Sequence, residues 1–215
     1  MRTVIQITFV FSLLIFTTSC SCERYNEAKN AVNAVKNLAK NAENIQETVE
    51  EANKRMEDRK IRGDTVAIHY KQLAEYLPNS FNGYEKDGDM DGGTTKTPGF
   101  GSYSNVGQKY LNKNGDKLEI NIVDYNTAYA MYSTVMAAYV SGFEIDNTNQ
   151  QIKGFQFSDD VKGWTILQKK DHIAEAYAGV SDRFHITVKA YNQESIDFVL
   201  DVTTKEIPVD KLARL

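Results

Sequence analysis

The chain has 215 residues, 41% of them hydrophobic and 11% aromatic, with two cysteines and a formal net charge of −4. That length suits one domain plus an extension, with enough apolar and aromatic side chains to form a core. A mildly acidic chain has no global field to hold nucleic acid, which argues against that class of partner.

In chain order, residues 1–19 come first and have the make-up of an export signal. Arg2 precedes an apolar run from Val4 to Phe16, and Thr17, Thr18 and Ser19 lead to Cys20. A charged start, a short apolar centre and small residues before a cut define a secretory signal. The run is too short for a membrane span and is broken by Gln6, Thr8 and Ser12. With a cysteine directly after the small residues, residues 1–22 resemble a bacterial lipoprotein signal of the relaxed kind common in Bacteroidota. That resemblance implies acylation of Cys20 and a mature chain held on a membrane of the bacterial cell envelope, facing the periplasm or the cell surface. Thr17 stands where the family usually has leucine, so Cys22 behind Ser21 is the alternative attachment residue. An ordinary secretory signal and an uncleaved anchor helix also fit these residues. Two or more acyl chains give stable attachment. Acylation of either cysteine leaves no internal disulfide, because the chain has no others.

From Glu27 to Arg59 there is neither Pro nor Gly, and Ala28, Ala31, Val35, Leu38, Ala42, Ile45, Val49, Ala52 and Met56 recur at alternating steps of three and four. This is the seam of a coiled coil or a long bundle helix, and it predicts a long amphipathic helix within a lipid-anchored segment spanning 20–62. Its alanines make a weak dimer seam. The helix is therefore either a stalk, with self-association through 28–56, or an arm folded back on the body.

The α+β domain is expected over 63–215. Gly63-Asp64 breaks the seam, with Asp64 placed to cap a helix that Pro78 ends. A Gly- and Asp-rich stretch, 79–101, reads as a mobile or functional loop. Strands follow, with Asn114-Gly115 marking a hairpin and Leu118, Ile120 and Ile122 alternating with Glu119 and Asn121. Asn126-Thr127 opens a helix closed by Gly142. Strands near 143–147, 152–157, 164–169, 173–180 and 183–191 precede a helix from about Ser195 to Val202. The order predicts an antiparallel β-sheet flanked by helices. With LAEYLP at 73–78 and DRFHITVKAY at 182–191, it resembles the PsbP/Mog1-type fold of small exported proteins. That resemblance implies a binding or accessory domain and carries over no functional residues.

Asp87, Asp89 and Asp91 alternate before Gly92, the front half of a calcium loop, since hard cations want several oxygens around a tight turn. The back half is missing, with Thr94 and Pro98 where an apolar anchor and a Glu belong, so a hydrated acidic loop fits as well. His69, His172 and His185 lie on separate elements without ligand spacing, and His185 is expected to be exposed or edge-packed. No nucleophile elbow, phosphate loop or dinucleotide fingerprint occurs. Tyr125, Tyr129 and Tyr132, spaced to share a helix face, together with Trp164, form a candidate binding surface or simply rim a core. These features point to a lipid-anchored accessory protein that binds an envelope protein or a small ligand without catalysis. The alternatives are a calcium-responsive surface or adhesion module and a hydrolase with no recognisable motif. No cofactor is expected apart from calcium at the acidic stretch.

Overall fold

The computed structural model describes residues 42–97, 101–126 and 144–215, and between 127 and 143 only residues 128, 131–133, 136, 139 and 142. Cys20, Cys22, Tyr129 and the seam before Ala42 lie outside the described residues.

Nine strands form one sheet in which every neighbouring pair is antiparallel. They are β1 (Ser80–Phe81), β2 (Tyr84–Thr97), β3 (Gly101–Asn112), β4 (Lys117–Asp124), β5 (Ile145–Asp146), β6 (Gln150–Gln156), β7 (Val161–Gln168), β8 (Ile173–Val180) and β9 (Phe184–Tyr191). The spatial order is β1-β2-β3-β4-β9-β8-β7-β6-β5. Two meanders therefore meet in the middle. The chain leaves β4, crosses to the far edge at β5 and works back until β9 lies against β4. The Asn114-Gly115 hairpin forms as expected, with Gly115 at φ +85° and Asn112 Oδ1 accepting from the N–H groups of Asn114 and Asp116, both at 2.9 Å. Only glycine adopts that dihedral without strain.

Strand alternation assigns each residue to a face. On the packed face lie Val106 and Tyr110 of β3, Leu118, Ile120 and Ile122 of β4, Phe184, Ile186 and Val188 of β9, and Ala174, Ala176 and Ala178 of β8. Each large side chain fully buried here contributes about 1.5–3 kcal/mol. The alanines of β8 leave room for a helix to approach. Helix α3 (Asp197–Asp201) lies over β8 and β9, widens into a π-turn over Val202–Glu206, and places Val199 and Val202 in the core. Phe198 closes one end of this core against Tyr84, 5.5 Å between ring centres.

Over Tyr84–Thr97 the stretch 79–101 is strand rather than loop. This strand is paired with β3, interrupted by a bulge where register jumps from Asp87↔Lys109 to Asp91↔Gly107. Bulges bend a strand and break its ladder locally, which hides β2 from an alternation search. The helix expected from Asp64 is also absent over most of its length. Ala67 N–H donates to Ser102 Oγ at 2.7 Å, Ile68 N–H to Asp124 Oδ2 at 2.8 Å and Tyr70 N–H to Thr94 Oγ1 at 3.0 Å. Side chains of the sheet thus take the N–H groups a helix needs. Only α2 (Tyr70–Leu73) and one 3-10 turn form, and His69 rather than Asp64 caps them.

Before this strap, helix α1 spans Ala42–Ile61. It ends in a Schellman motif, with Gly63 at φ +80°, Asp64 N–H bonded to Arg59 O at 2.9 Å and Gly63 N–H to Lys60 O at 3.0 Å. Its last turns sit on the body. Ala52 is 1% exposed, and Arg55 pairs with Asp160 at 3.0 Å and Asp182 at 3.5 Å. A buried pair sits nearby: Arg183 Nε and Nη2 each donate to Asp124 at 2.9 Å, and Nη1 reaches Asp64 at 2.8 Å.

Candidate functional site

The second face of the sheet carries polar and aromatic side chains, and register sets them in rows across the strands. One row runs Lys109, Glu119, Lys189, Glu175 over β3, β4, β9 and β8. Charge alternates along it, so every cross-strand neighbour is an attractive pair. Glu175, 6% exposed, accepts from Lys189 Nζ at 2.9 Å and from the Tyr177 hydroxyl. The bond to Glu175 holds the Lys189 ammonium above its ordinary range. Burial first, then Glu175, pushes the Tyr177 phenol upward. Lys189 also lies 5.5 Å from the centre of the Tyr191 ring, a cation–π contact.

The next row is Gly107, Asn121, Thr187, Tyr177, Trp164 and Gly154. Trp164 and Tyr177 stack nearly parallel, 4.0 Å between ring centres and 12° between planes. His185 follows at 6.0 Å from Tyr177. Glycines stand at both ends of this row, and the polar and aromatic strip between them is termed the trough. Two polar atoms here are shut off from water and have no partner among the described residues, Trp164 Nε1 and His185 Nε2. An unmet buried donor or acceptor costs about 1–3 kcal/mol. Burial lowers the His185 pKa to about 4, which makes this a neutral imidazole at pH 7. At 5% exposure it is neither exposed nor edge-packed, because β9 lies inside the sheet, with Val123 of β4 and Gly179 of β8 on either side of it.

Toward β2, the bulge opens a hollow of about 670 Å³ between Asp87, Asp89, Asp91, Asn105, Glu119 and Asn121. Gln108 holds its rim by donating to the carbonyls of Gly88 at 3.2 Å and Lys109 at 2.9 Å. The three aspartates expected to ring a cation lie in β2 across the bulge and line this hollow together. Among the described residues no three His, Cys, Asp or Glu side chains are placed to hold a metal ion.

The expected tyrosine surface divides. Tyr125 and Tyr132 are buried and pack edge to face at 6.2 Å, in a cluster with Val123, Ala128 and Met136. This cluster covers one end of the face, seated on Gly179 of β8. Those two tyrosines fasten the crossover, whereas Trp164 stands in the trough; Tyr129 lies outside the described residues. Tyr177, Glu175, Lys189 and His185 are site residues that motif searching misses. Their signal is the alternation of Glu175, Tyr177 and Gly179 against three alanines in β8.

No family model, curated protein or solved structure matches the chain.

Proposed function

We propose that the protein is a lipid-anchored accessory protein of the bacterial cell envelope, attached through Cys20, which binds a small ligand or a partner protein on the trough side of its sheet without catalysis. The first 22 residues support the anchor. The observation that carries the binding half is the Trp164–Tyr177 stack, flanked by paired charges and by an indole nitrogen without an acceptor. Aromatic faces beside fixed hydrogen-bonding groups suit ligands with an apolar face and a polar edge. The other face is filled by the core, so the trough is the side on which recognition takes place. The docked end of α1, from Ala52 to Arg59, sets where the segment toward the anchor leaves the body; the seam before it serves as spacer.

Trp164 is the sole tryptophan, so its emission reports on the trough directly. Titration with envelope oligosaccharides and peptides is expected to give a saturable change in emission for at least one class. Tyr177→Ala should weaken that binding by tenfold or more while circular dichroism stays unchanged. Flat emission across both classes, or full binding by the variant, would count against the trough as the recognition surface.

A further inference from the structure

Where α1 meets the β8–β9 turn there is a second hollow, of about 270 Å³, which shares no residue with the trough. Four guanidinium groups line it, those of Arg55, Arg59, Arg62 and Arg183. Two are already committed. Arg183 is held by Asp124 and Asp64, and Arg55 by Asp160 and Asp182. Arg59 and Arg62 are not: no carboxylate lies within ion-pair distance of either among the described residues. Arg59 is 5% exposed and makes only long bonds to the carbonyls of Ser181 at 3.4 Å and Asp182 at 3.3 Å. Its Nε, buried, finds no acceptor.

A buried cation without a counter-ion is costly, and a second guanidinium beside it adds to the cost. Burial, and then the charge of Arg183, accordingly pull the Arg59 pKa down. Latching α1 to the turn accounts for the two carbonyl bonds. It accounts neither for the orphaned Nε nor for the hollow, nor for Arg62, in the turn just past the end of the helix and without an ion-pair partner among the described residues.

We propose that this hollow binds a phosphate group, through Arg59 and Arg62. A water takes about 30 Å³ of liquid volume, so the space admits a phosphoryl group with attached atoms. Guanidinium forks match phosphate oxygens in pairs, and a tetrahedral anion offers acceptors to two forks at once. Of the carboxylates that line the hollow, Asp160 is engaged on Arg55, and Asp58 makes no ion pair with Arg59 or Arg62 among the described residues. The group belongs either to a soluble phosphate compound or to a phospholipid headgroup, and both present the same chemistry to α1.

Isothermal titration calorimetry on the purified full chain at low salt tests this, with inorganic phosphate and a water-soluble short-chain phosphatidylglycerol as probes and acetate as control. Expected is saturable binding of at least one phosphate probe, weakened tenfold or more by Arg62→Ala and by Arg59→Lys. Arg62 is exposed, so its variant should keep the parent melting temperature. Binding of inorganic phosphate alone assigns a soluble ligand, and binding of the lipid alone assigns a headgroup. No saturable binding of either probe, equal binding of acetate, or binding indifferent to both variants would overturn the proposal.

Discussion

Asp124 takes four hydrogen bonds in a place that water does not reach: two from Arg183, one from Ile68 N–H and one from Asn126 N–H. It ties the strap before α2, the end of β4 and the start of β9 to one carboxylate. Removing one partner of a buried pair strands the other charge, at a cost of about 3–5 kcal/mol. Asp124→Ala should therefore lower the unfolding free energy by that amount in urea, and a loss under about 1 kcal/mol would show that Asp64 holds Arg183 unaided. His185 sets a pH dependence. Its folded pKa of about 4 lies below the ordinary 6.5, so the unfolded chain takes up the proton first. The stability that this difference represents is full above pH 6.5 and is lost as pH falls toward 4, by roughly 3 kcal/mol. His185→Gln should flatten the fall in urea midpoint across that window. An unchanged slope would assign the acid sensitivity to other groups.

At the level of elements, glycines decide how closely the layers approach. A Cβ on Gly179 would meet Met136 Cε at 2.7 Å and the Tyr132 hydroxyl. Gly179→Ala should push the crossover off β8 and destabilise by about 1–3 kcal/mol, read as a drop in melting temperature. A neutral substitution would mean that the segment carrying Tyr132 and Met136 shifts freely. What was legible in the sequence follows the range of the interactions. Leu118, Ile120 and Ile122 announce β4 because alternation is local, and Asn114-Gly115 announces its hairpin because the turn needs a positive φ. The strand at Tyr84–Thr97 was hidden because its Gly and Asp residues are extended only by pairing with β3, across a bulge. The segment 64–69 was misjudged because its N–H groups go to Ser102 and Asp124, far along the chain. The trough was half legible: Trp164 stands out by composition, whereas Glu175 and Lys189 become a pair only once β8 and β9 lie side by side.

For the whole molecule, the proposed attachment through Cys20 would set where the trough works. The intact chain should partition with membranes, and Cys20→Ser should appear in the soluble fraction or remain unprocessed. Equal membrane retention by that variant would move attachment to Cys22 or to an uncleaved helix.

The strand order has a bearing on biogenesis. β9 is the last strand in the chain, yet it occupies the centre of the sheet, between β4 and β8. Until residue 191 is available, the two meanders have no common strand, and β4 and β8 each present a raw edge. Unpaired edges are where chains stick to one another, and long-range pairing of this kind is slow. A chain that emerges from its N-terminus thus passes through a stage in which two half-sheets wait for the same closing strand, and chaperone dependence should be greatest in truncations ending between residues 180 and 191.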